Sequence, residues 1–78
     1  MSVQHVSIPV LGVSCAGHSV ERVLLRLPGV ISAYVNGVTE VADIDYDDER
    51  LGIEALCERI EGCGFRAGPP QVRSPRST

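Results

Sequence analysis

Residues 30–46, VISAYVNGVTEVADIDY, carry the reading that decides the fold. Val30 to Val35 is rich in β-branched and aromatic residues, with Ile31, Ala33 and Val35 on one side of a strand and Tyr34 on the other. Asn36 and Gly37 both tolerate positive φ and read as a hairpin turn. Beyond it Ala42, Ile44 and Tyr46 face one way and Asp43 and Asp45 the other. The hairpin therefore has one wet face.

Upstream, Ala16, Val20, Val23, Leu24 and Leu27 line one face of a helix, which Pro28 and Gly29 stop. Before it, Val6, Ile8 and Val10 alternate with Ser7 and Pro9, predicting a strand over residues 3–10, followed by a loop at 11–15. Downstream, Asp47, Asp48 and Glu49 suit the opening of a second helix, where either aspartate can cap free backbone N–H groups. Ile53, Leu56, Cys57 and Ile60 form its apolar stripe, Gly62 and Gly64 end it, and residues 65–67 form a short last strand. Strand, helix, strand, strand, helix, strand folds as a ferredoxin-like βαββαβ sandwich of the α+β class: a four-stranded antiparallel sheet with both helices on one face. Residues 69–78, with three prolines and little to bury, read as a flexible tail or linker after a domain at 1–68.

At 78 residues the chain has one thin core and no room for a deep multi-substrate cleft. A net charge of −3 and no lysine make nucleic acid an unfavourable partner. No run is long and apolar enough for membrane insertion, and no signal peptide is evident, which predicts a cytoplasmic location. Three cysteines, Cys15, Cys57 and Cys63, cannot all pair within one chain, so at least one thiol is free.

Cys15 falls at the loop-to-helix junction with His18 three residues on, so both side chains lie within one turn of a helix start. The helix dipole favours thiolate there, and thiolate with imidazole suits copper or zinc rather than magnesium or calcium. The same pair could serve as nucleophile and base, but nothing supplies a third orienting residue or a substrate pocket. Cys57 reads as core packing, His5 as a solvated surface histidine, and the acids at 43–49 as a wet face and helix cap without EF-hand spacing.

The run Gly12-Val13-Ser14-Cys15-Ala16-Gly17-His18, then Val20-Glu21 and Leu27-Pro28-Gly29-Val30, resembles the heavy-metal-associated domain of copper chaperones and of the N-terminal modules of metal-transporting P-type ATPases. The likeness continues through Val35-Asn36, Asp45-Tyr46-Asp47 and Gly64-Phe65, covering roughly residues 4–68. It implies a non-enzymatic module that binds one transition-metal ion in an exposed loop and passes it on by ligand exchange. The partner it implies is a P-type ATPase, that pump's other domains, or a metal chaperone.

The family's loop carries two cysteines. Here only Cys15 matches, His18 stands at the second position, and Val13 replaces a methionine. Two thiolates favour linear Cu(I), whereas one thiolate and one imidazole also admit Zn(II) or Cu(II) with further ligands. Cys63, beside Phe65 in the segment that the resemblance sets near the metal, is the candidate third ligand, with glycines on both sides of it. Copper as Cu(I) leads. A zinc module, a domain that has lost its metal and acts only as an interaction module, and a metal-bridged homodimer stay open.

Overall fold

Val6, Ile8 and Val10 are fully buried, as their alternation requires, and they form the spine of the sheet. The computed structural model describes residues 2–12 and 17–73. Its elements run β1 (Val3–Leu11), α1 (Gly17–Leu25), β2 (Val30–Asn36), β3 (Val41–Asp47), α2 (Ile53–Gly62), β4 (Arg66–Ala67) and β5 (Gln71–Arg73). The antiparallel sheet has the order β2-β3-β1-β4, with β5 also on β1.

One apolar cluster joins these β1 residues to Val35, Ala42, Ile44 and Tyr46 of the sheet, Val20 and Leu24 of α1, and Leu56 and Ile60 of α2. Both helices must therefore lie on the same face of the sheet. This is the ferredoxin-like sandwich that the element order predicts.

Four local expectations change. In β2 the register slips between Val30 and Ser32, so Ile31 is the extra residue of a β-bulge. Val30 thereby packs on the core and Ile31 is exposed, while Ala33 and Val35 stay inward. The hairpin loop spans residues 37–40 rather than a two-residue turn, because Asn36 Oδ1 accepts the N–H groups of Val38 (2.9 Å) and Thr39 (3.3 Å) and Asn36 O accepts that of Glu40 (2.8 Å). The positive φ falls on Glu40, at 59°, and not on Gly37.

Asp47 does not open α2. Its Oδ1 accepts the N–H groups of Glu49 (3.1 Å) and Ser2 (3.2 Å), and its carbonyl accepts those of Arg50 and Leu51, so its capping capacity closes a turn that precedes the helix. The helix starts after Gly52 with no side-chain cap.

Residues 71–73 are not a loose tail. His5, Val6 and Ser7 pair with Arg73, Val72 and Gln71, one register step from the Val10–Ala67 and Leu11–Arg66 pairs, so β4 and β5 are one edge strand interrupted at Gly68-Pro69-Pro70. Proline lacks a ladder donor, which confines the pair to that break. Residues 74–78 lie outside the described residues.

Candidate metal centre

The register fixes what surrounds the loop that follows β1. Leu11 pairs with Arg66, so the α2–β4 turn at 63–65 runs beside the start of that loop. Val10 N–H donates to Glu40 O (2.7 Å) and Gly12 N–H to Glu40 Oε2 (3.2 Å), which brings the β2–β3 hairpin to the same end. The loop's exit is tied to β2. Gly17 is buried so tightly that an added Cβ would lie 3.2 Å from Val35 Cγ1, and Glu21 Oε2 accepts Val35 N–H at 2.7 Å.

Of the three candidate ligands, Cys15 lies outside the described residues. His18 is exposed, the second residue of α1. Cys63 caps the C-terminus of α2, where its N–H reaches the carbonyls of Glu61 and Ile60, and Gly64 then turns the chain at φ 95°. Its side chain is half-buried and borders an open groove of about 540 Å³ between the helices, with Val23 and Leu27 across from it. Among the described residues no three His, Cys, Asp or Glu side chains form a metal-holding group.

Cys57 is half-buried against the core, as its place in the apolar stripe implies. Burial, then the carboxylates of Glu61 and Glu54, push its thiol above the ordinary cysteine range, so it stays protonated at neutral pH. His5 is more engaged than a solvated histidine. Its Nδ1 lies 2.5 Å from Asp45 Oδ1 and its Nε2 3.6 Å from Asp43 Oδ1, so the ring is bracketed between two carboxylates that engage opposite nitrogens. That arrangement cannot converge on one ion. Asp45 also accepts from Ser32 Oγ (2.9 Å), and the His5 bond chiefly, with the Ser32 bond, holds its carboxyl below the usual range.

Sequence reasoning did not single out Glu40, and it met Glu21 only within the Val20-Glu21 stretch of the family likeness, without a role. Neither carries a local signal, since their partners Gly12 and Val35 are remote in sequence and met only through the sheet.

The βαββαβ order with both helices on one face of the sheet defines the class of small ferredoxin-like modules. The profile of the heavy-metal-associated domain matches residues 6–66, and the chain belongs to that family, whose modules bind metal and are not catalysts. A copper-exporting P-type ATPase of Staphylococcus saprophyticus is 36% identical over 73 residues, which is 91% of this chain and 9% of that protein. The chain thus spans less than a tenth of the length of the curated relatives it matches. The N-terminal soluble domains of Bacillus subtilis CopA superpose with a TM-score of 0.78 at 35% identity, covering 85% of this chain and 47% of that one. A CopZ metallochaperone gives 0.80 at 29% identity, covering 82% and 98%. Among the described residues no helix is long and apolar enough to cross a membrane.

Proposed function

We propose that this domain binds one soft transition-metal ion, copper as Cu(I), through Cys15 and His18 with Cys63 as third ligand, and passes it to a partner. The observation that carries the reading is the 36% identity to copper-exporting ATPases along nearly the whole chain, in a sequence that keeps Cys15 at the loop–helix junction. The pairing of Leu11 with Arg66 supports Cys63 as a ligand, because it runs the α2–β4 turn alongside the loop entry.

Transfer follows from low coordination. An incoming partner thiolate bonds to the metal before Cys15 or His18 leaves, so the ion is never free, and an exposed site with two or three ligands leaves room for that entry. The partner is a P-type metal pump, one of its other domains, or a chaperone, met in the cytoplasm, and the segment after β5 leads on as a linker or terminus. His18 favours a second reading in which Zn(II) or Cu(II) is the cargo, since imidazole is a borderline donor that suits both.

The test is titration of the reduced, anaerobic protein with Cu(I) and separately with Zn(II) against chelators of known affinity. One tight Cu(I) per chain with much weaker Zn(II) is the expected result. Comparable or tighter Zn(II) supports the second reading, and no tight binding of either assigns the domain to interaction alone. Cys15→Ser abolishes binding, His18→Ala weakens it, and Cys63→Ser weakens it if the third ligand is real; a Cys15→Ser chain that retains one equivalent overturns the assignment.

A further inference from the structure

We propose that Glu40 is a positioning residue for the metal loop: it ties the loop's entry at Gly12 to the β2–β3 hairpin and so sets the geometry in which Cys15 and His18 meet the ion. This rests on the metal-loop reading above.

The first observation is a backbone anomaly. Glu40, at φ 59°, is the one non-glycine with positive φ among the described residues, while Gly12, Gly29 and Gly64 fill the other such positions. A glycine would occupy position 40 without the steric penalty that a Cβ carries there. Local strain of this kind persists where the surrounding structure uses the side chain.

The contacts show what the side chain adds. Glu40 N–H donates to Asn36 O (2.8 Å) and Glu40 O accepts Val10 N–H (2.7 Å), both of which a glycine would keep. Only the bond from Gly12 N–H to Oε2, at 3.2 Å, needs the carboxylate. Val10 and Gly12 flank Leu11, the last residue of β1, so Glu40 grips the chain on both sides of the point where it leaves the sheet.

The other end of the loop is referred to the strand leading into the same hairpin. Gly17 packs on Val35, and Glu21 Oε2 accepts Val35 N–H. Entry and exit therefore share one rigid support, the β2–β3 pair. Fixed ends leave less chain freedom to be lost when the ligands close on an ion, so releasing the entry weakens binding without touching a ligand.

The experiment compares the unsubstituted chain with Glu40→Gly and Glu40→Gln in three measurements: Cu(I) affinity by chelator competition, amide exchange at Gly12 in the metal-free protein, and the unfolding midpoint. Glu40→Gly is expected to unfold no earlier than the unsubstituted chain, while Gly12 exchanges faster and Cu(I) binds about fivefold more weakly, the scale of one exposed intramolecular hydrogen bond. Glu40→Gln, whose amide oxygen accepts the same N–H, is expected to stay within about twofold.

Glu40→Gly with unchanged affinity and unchanged Gly12 exchange overturns the proposal. So does a Glu40→Gly chain that loses affinity only by unfolding early, or a Glu40→Gln chain as weak as Glu40→Gly. If the unsubstituted chain itself binds no Cu(I), the metal reading fails instead, and Gly12 exchange alone then upholds or overturns the tether.

Discussion

At Gly29 the backbone lies at φ 104°, and a Cβ there would come within 2.3 Å of Leu51 Cδ2. Conformation and space both require glycine, so Gly29→Ala is expected to lower stability by about 1–3 kcal/mol, read as an earlier denaturant midpoint with unchanged slope. Gly29 was legible as a helix stop, but its contact with Leu51 was not, because Leu51 belongs to the turn before α2. Cys57 offers a chemical check at the same scale. With its thiol pushed up by burial and by Glu61 and Glu54, alkylation in a Cys15→Ser/Cys63→Ser background is expected to stay slow at neutral pH and to accelerate only at a higher pH than an ordinary exposed thiol requires. Fast labelling at neutral pH would contradict the half-buried placement.

Among the elements, the two helices depend on a few fully buried side chains, Val20 and Leu24 in α1 and Leu56 and Ile60 in α2. Truncating Leu24 or Ile60 to alanine is expected to cost about 2–5 kcal/mol in chemical denaturation, the range for a large aliphatic removed from a packed core. Their spacing was readable from the sequence. The β4–β5 edge was not, since two residues, a Pro-Pro break and three more residues lack the length of a strand and gain order only by pairing with β1. Deleting residues 69–78 is therefore expected to speed amide exchange at His5 and Ser7, whose N–H groups point to the edge that β5 covers, and not at Val6, whose N–H points to β3, while metal affinity holds. Unchanged exchange at His5 and Ser7 would contradict the pairing.

For the whole molecule, carboxylates couple the fold to pH. Asp45 is held low chiefly by its bond to His5, and Asp47 chiefly by the N–H of Glu49 and then of Ser2. A carboxyl with a depressed folded pKa contributes stability that is fully present above its unfolded value and lost as pH falls through the folded one. Acid unfolding is thus expected to set in below about pH 4, and Asp45→Asn to flatten that limb of a stability-against-pH curve relative to the unsubstituted chain. An identical acid limb in the variant would show that the β1–β3 bracket around His5 does not couple to folding.

The sequence by itself determined the order of the first six elements and the buried faces of β1, β3 and the two helices, and it offered Cys15 and His18 as candidate donors, because periodicity and motif spacing are local properties. Tertiary structure alone decided the rest: the bulge at Ile31, the reassignment of Asp47 from helix cap to turn, the fifth strand, and the meeting of Glu40 with Gly12. Each of these joins residues through register or sheet pairing. A linear pattern carries no information on which remote backbone group a side chain will meet until the sheet has set the distance between them.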